Sequence, residues 1–152
     1  MSNNKQRLGL YAGSFQPFHL GHLDIVKQSM QVFDEVLVAK GNNPEKSNHN
    51  IYPLPKKFLY NMGLHVTTFD GLLVDLIKQW EPSFDIILVR GLRSGADLDY
   101  EQNFAAFLRE MYHQVKIVAF YCDPKLRHLS SSALRGIQKI SPDEYKKYVI
   151  SD

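Results

Sequence analysis

Cysteine is almost missing from this chain: Cys122 is the single one among 152 residues. That excludes an internal disulfide framework and fits a reducing compartment. Long apolar runs are missing as well. None approaches the length of a membrane span, and the first seven residues are polar, without the apolar centre of a signal peptide. No membrane is expected as a partner, and a cytoplasmic protein is. An excess of charge of one sign is also lacking: 18 Lys and Arg face 16 Asp and Glu, leaving +2, too little to argue for nucleic acid. There is no internal repeat, no low-complexity tract and no Pro/Gly/Ser-rich linker. Neither His-x-x-x-His nor Cys-x-x-Cys occurs, so a zinc site finds no obvious ligand set.

What is present is an ordinary globular composition, 44% hydrophobic and 22% charged, in a length that suits one domain over residues 1–152 with a proper core. Short apolar, β-branched runs alternate with longer helical patterns. Strands are expected at 8–12, 35–39, 64–69, 84–89 and 115–120. Helices are expected from about 20, then at 55–62, 71–80, 98–112, 131–139 and 142–149. Such alternation implies βαβ crossovers and an α/β fold, a Rossmann-like, doubly wound, five-stranded parallel sheet.

The first strand leads into Gly13-Ser14-Phe15-Gln16-Pro17-Phe18-His19-Leu20-Gly21-His22, a strand-to-helix turn. Ligands collect at such turns, where the helix start offers free N–H groups and the positive end of its dipole. Gly13, Ser14 and Gly21 would let a phosphate approach the backbone. His19 and His22, three apart, can share a face. Three readings of the pair compete: metal ligands without partners, caps of the turn, or donors to a phosphate. Only the last explains the glycines.

Four other stretches carry chemistry. Loop 41–50 is polar, and Lys46 is its only cation, a surface lysine by default and a phosphate ligand if the loop lies on the same rim. Segment 69–75 starts a helix that buries Leu72, Leu73 and Leu76, and its apolar side chains can also wall a pocket. The strand at 84–89 delivers Arg90-Gly91-Leu92-Arg93 to the rim, where arginine's planar fork suits phosphate. Asp97, Asp99 and Glu101 follow, able to cap the next helix, pair with the arginines, or hold a ribose or metal-bound water. Ser130-Ser131-Ser132 opens a helix, as a simple cap or as a cradle for outer phosphates.

The His-x-Gly-His turn resembles the signature of the nucleotidyltransferase superfamily. Together with 69–75, Val89-Arg90-Gly91-Leu92-Arg93, Asp99-Tyr100-Glu101 and the triple serine, it resembles one family, the phosphopantetheine adenylyltransferases, over about residues 8–135. The resemblance implies that Ser14, Phe15 and His22 contact ATP, His22 stabilising the transition state. It implies that Gly91, Leu92, Arg93 and Glu101 line the nucleotide site, closed by Leu126, Arg127, His128, Leu129, Ser130, Ser131 and Ser132. Ser14, Lys46, Leu73 and Arg90 would hold 4'-phosphopantetheine, with His22, Lys46 and Arg90 as the catalytic set. It further implies Mg²⁺ dependence, a homohexamer, a cytoplasmic location and coenzyme A as a feedback ligand.

This sequence departs from the family at Gln16, usually aspartate, in a shortened 47–68 segment, and in lacking the Trp and Phe that often precede the triple serine. Gln16 to His22 reads more like archaeal-type NMN adenylyltransferases. That enzyme, a cytidylyltransferase acting on a small phosphorylated alcohol, and a noncatalytic nucleotide-binding relative are the alternatives. An acceptor that is already a phosphate needs no general base, and accordingly no catalytic triad is expected.

Overall fold

The computed structural model describes residues 4–42 and 52–152. Its elements follow the expected alternation: β1 (Arg7–Gly13), α1 (Leu20–Val32), β2 (Glu35–Gly41), α2 (Lys56–Asn61), β3 (His65–Phe69), α3 (Leu73–Trp80), β4 (Asp85–Leu92), α4 (Gly95–Met111), β5 (Ile117–Tyr121), α5 (Ser131–Ile140) and α6 (Pro142–Lys146). All four strand pairings are parallel, in the order β3-β2-β1-β4-β5. Among the described residues no helix is long and apolar enough to cross a membrane.

Alternation along β1 sends Leu8, Leu10 and Ala12 into one apolar layer and Tyr11 into the other. On the Tyr11 side, α1 and α2 cover the sheet through Leu23, Ile25, Val26 and Leu59. On the Leu10 side, α3 and α4 cover it through Val74, Leu76, Ile77 and Leu108. The crossovers that leave β1 and β2 thus lie on one face and those that leave β3 and β4 on the other. The strand order reverses between β1 and β4, which opens a crevice at their carboxyl ends.

Several boundaries differ from expectation for local reasons. β4 runs on to Leu92, because Arg90, Gly91 and Leu92 pair with Ala119, Phe120 and Tyr121 of β5. The arginine segment is therefore mostly strand, and only Arg93 lies beyond it. α4 begins at Gly95 rather than 98, since the Ser94 side chain accepts from the Asp97 N–H. α6 ends at Lys146, and the chain after it pairs instead with the turn before α1: Leu20 N–H donates to the Tyr148 carbonyl and Ile150 N–H to that of Phe18.

Candidate active site

A cavity of about 450 Å³ occupies the crevice between β1 and β4, a size usual for small-ligand sites. The turn from Gly13 to His22 forms one wall. His19 is the N-cap of α1, and its Nδ1 accepts from the Gly21 N–H at 3.0 Å. The His22 Nδ1 accepts in turn from the His19 N–H at 3.1 Å. Each ring therefore carries its proton on Nε2. The rings lie tilted at 31° with centroids 3.7 Å apart, and a Cβ on residue 21 would sit 2.8 Å from His19 Cε1, so glycine there leaves room for the His19 ring. Burial holds both imidazoles neutral. It lowers His19 to about 4, helped by the charge of Arg93, and it puts His22 well below its ordinary value, helped by His19 and Arg93. Capping holds for both rings and uses one nitrogen of each. The Nε2–H donors remain.

The opposite wall is β4 and the start of α4. Arg90 grips Glu101 through Nε at 2.7 Å and Nη2 at 2.9 Å, donates from Nη1 to the Ala12 carbonyl, and lies 4.7 Å over the Phe104 ring. Arg93 grips Asp97 in the same forked way and reaches the Leu129 carbonyl with Nη1. Burial pushes the Asp97 carboxyl up, but the hydrogen bonds from Arg93 outweigh it and hold the group below its usual value. Of the roles open to these acids, pairing with the arginines is the one adopted by Asp97 and Glu101. Gly91 lets α1 close over the strand here, since a Cβ would meet Ile25 Cγ1 at 2.9 Å.

The third wall is the N-terminus of α5. The Ser130 hydroxyl accepts from the Ala133 N–H and caps the helix, while Ser131 and Ser132 face the cavity with the first free N–H groups. Arg135, one turn on, donates to the Gln16 carbonyl at 2.6 Å and also lines the cavity. The three walls together line one volume with arginines whose forks are held by carboxylates and carbonyls, with helix N–H groups and with neutral imidazole donors. The set suits a polyphosphate through the helix and imidazole donors and the positive charge around them.

The sequence model of the cytidylyltransferase-like family matches residues 10–137. Phosphopantetheine adenylyltransferase of Porphyromonas gingivalis is 36% identical over 144 residues, covering 91% of this chain and 92% of that protein. Its counterpart in Cytophaga hutchinsonii is 33% identical over 142 residues, covering 90% and 93%. The chain belongs to the phosphopantetheine adenylyltransferases. In fold it is similar to the solved pantoate-β-alanine ligase of Francisella tularensis, with a TM-score of 0.61 at 15% identity, over 95% of this chain and 72% of that one.

Of the residues the family resemblance singled out, the fold brings Ser14, Phe15, His22, Arg90, Gly91, Arg93, Glu101, Ser130, Ser131 and Ser132 to the one cavity. Lys46 lies outside the described residues. Leu73 opens α3, partly buried against the apolar layer on the Leu10 side, and is not among the lining residues. Leu92, Leu126, Arg127, His128 and Leu129 do not line the cavity either. Leu129 is buried and Arg127 donates from Nε to the Arg93 carbonyl, so this stretch braces Arg93 from behind.

Three residues went unnoticed in the sequence. Arg135 follows the triple serine by one helical turn, a spacing that could have revealed it. Tyr11 reads as an ordinary strand residue, yet it lines the cavity, and burial raises its hydroxyl strongly. Lys40 reads as a strand-end lysine and is 3% exposed, donating to the Ser14 carbonyl.

Proposed function

We propose that the protein transfers the adenylyl group of ATP to 4'-phosphopantetheine, releasing pyrophosphate and forming dephospho-coenzyme A. One observation carries the reading: the histidine pair, the arginine segment and the start of α5 meet in one crevice at the β1/β4 switch point. Curated relatives over nine-tenths of the chain carry the phosphopantetheine adenylyltransferase name. A phosphate oxygen of the acceptor attacks the α-phosphorus, and the bond to the bridging oxygen of pyrophosphate breaks. No proton has to be removed from the nucleophile. The task is to align two anions and stabilise the charge that develops. His22 suits it as a neutral Nε2–H donor held at a fixed angle by the backbone. Ser131, Ser132 and the α5 N–H groups suit the outer phosphates, and Arg93, Gly91 and Ser14 the rest of the nucleotide. Lys46, Arg90 and Leu73 are assigned to the acceptor.

Among the described residues no group of three His, Cys, Asp or Glu could hold a metal, and the carboxylates of Asp97 and Glu101 are taken by arginines. Magnesium therefore fits this site as a partner of the triphosphate, whose oxygens are its usual ligands, and not as a protein-caged ion. A homohexamer in the cytoplasm, with coenzyme A competing for the acceptor side, completes the reading. Leu98, Phe107, Met111 and Tyr121 are exposed large apolar groups on α4 and β5, a surface that other copies can cover.

Pyrophosphate release measured with ATP or CTP, each with phosphopantetheine or NMN, tests the assignment. ATP with phosphopantetheine is expected to win by a wide margin. Faster turnover with NMN or CTP defeats the substrate assignment, and no release with any pair favours a noncatalytic relative.

A further inference from the structure

Lys40 is the most deeply buried cation among the described residues, 3% exposed at the carboxyl end of β2. Its neighbours in register are Gly13 of β1 and Thr68 of β3, so its stem runs beneath the turn that follows β1. Among its contacts, Nζ donates to the carbonyl of Ser14. Lysine is rarely buried to this degree unless its ammonium is hydrogen-bonded, and here the bond falls on the turn that forms one wall of the cavity.

The next residue makes the contact consequential. Phe15 adopts φ 45°, the left-handed region that a bulky side chain seldom enters. Its ring is wedged among Tyr11, Phe18 and His22 with centroids 5.2, 5.3 and 4.9 Å away, and it is 3% exposed. Something must hold the backbone in that state. The peptide joining Ser14 to Phe15 is trans and planar, so its C=O and N–H point in opposite directions. Pulling the Ser14 carbonyl down onto Lys40 aims the Phe15 N–H the other way, away from the buried lysine, and both Ser14 and Phe15 line the cavity. A cation on the carbonyl also polarises that N–H as a donor.

We propose that Lys40 is a positioning residue for the transfer: it holds the Ser14 carbonyl from beneath and so presents the Phe15 N–H as a fixed donor to a phosphate of the bound nucleotide. The proposal rests on the transferase reading above. Lys40 itself does not line the cavity, and its proposed influence passes through the Ser14–Phe15 peptide group.

The test compares wild type with Lys40→Met, Lys40→Gln and Lys40→Arg, following pyrophosphate release, ATP affinity by calorimetry and the melting temperature. Methionine removes donor and charge at similar length. Methionine relieves the desolvation cost of a buried ammonium but leaves the Ser14 carbonyl without this donor, two opposing effects, so Lys40→Met is expected to melt within a few degrees of wild type. Its kcat/KM for ATP should nonetheless fall about ten- to a hundredfold, its ATP affinity should weaken, and the acceptor KM should stay unchanged. Arginine, a donor with charge, should recover most of the rate, and glutamine, a donor without charge, only part of it. Unaltered kinetics in Lys40→Met overturn the proposal. So does a Lys40→Met protein that fails to fold or whose rate falls in step with its melting temperature, since Lys40 would then be structural. Absence of turnover in wild type itself would defeat the transferase reading instead, and the lysine is then judged by ATP affinity alone, where equality of wild type and Lys40→Met overturns it.

Discussion

A histidine has two ring nitrogens, and in this site they do different work. At His22 the backbone donates to Nδ1, which fixes both the tautomer and the ring's direction and leaves a neutral Nε2–H for the cavity. A donor of this kind acts most on charge that builds during the reaction. His22→Ala should therefore lower kcat by about 10²–10³ while ATP affinity changes much less, measured by steady-state kinetics beside calorimetry. Near-normal kcat in a folded variant would remove His22 from the mechanism. The same burial has a pH signature. His19 titrates near 4 in the fold against 6.5 as its ordinary value, so between those pH values the unfolded chain takes up a proton that the folded chain refuses. Stability is complete above about pH 6.5 and declines as pH falls toward 4, by at most about 1.4 kcal/mol per pH unit for this group. Melting curves from pH 7 to 4.5 should show the decline. His19→Asn, which keeps an N-cap acceptor, should make it shallower and leave the part that comes from the buried His22, and an equally steep decline in that variant would show that His19 contributes nothing to it. The histidine pair and the glycines around it were legible in the sequence because their spacing is local. The direction of each proton was not, since it depends on which backbone N–H reaches which nitrogen.

Elements separate two roles that the sequence left overlapping. All three serines line the cavity, but the Ser130 hydroxyl is engaged in capping α5, accepting from the Ala133 N–H, whereas the Ser132 hydroxyl has no capping role. Ser130→Ala should cost about 1 kcal/mol, or a melting point lower by about 2–4 °C in a chain of this size, with little change in kcat. Ser132→Ala should do the reverse, lowering kcat/KM for ATP with stability kept. Equal behaviour of the two variants in melting and kinetics would dissolve the distinction. The strands were readable as elements because apolar runs of five or six residues, bounded by turn formers, bury on both faces of a parallel sheet. Their ends were less so. β4 extends through Arg90 and Gly91 only because β5 supplies ladder partners, and nothing within residues 84–93 announces that. α2 has no side-chain cap of its own at Pro55. The Asp152 carboxylate reaches back and accepts from the N–H groups of Lys57 and Phe58 at 3.2 and 2.9 Å, across a separation no local pattern can encode.

At the scale of the whole molecule, residues 148–152 tie the start of the chain's chemistry to its end. Tyr148 and Ile150 bond the backbone of Leu20 and Phe18 on either side of His19, and the Ile150 side chain packs against the layer that contains Phe15 and Phe18. Loosening this strap should loosen the histidine turn. Ile150→Ala is expected to cost about 1–2 kcal/mol, below the range for a fully buried isoleucine because the side chain is only partly buried, and to lower kcat as well as the melting temperature by a few degrees. A variant that melts lower at unchanged kcat would show that the turn holds its geometry without the strap.

Read alone, the sequence determined the α/β class, the count of five parallel strands, the turn at Gly13–His22 and the residue types that would meet a phosphate, because each of these follows from local periodicity, turn chemistry and motif spacing. Tertiary structure decided the rest. It paired Glu101 with Arg90, set Arg127 behind Arg93, brought Arg135 onto the Gln16 carbonyl and placed Lys40 under Ser14. Those outcomes turn on which carbonyl or carboxylate a long side chain can reach once strands 30 to 80 residues apart have been laid side by side, and the reach of a side chain is settled in space, not along the chain.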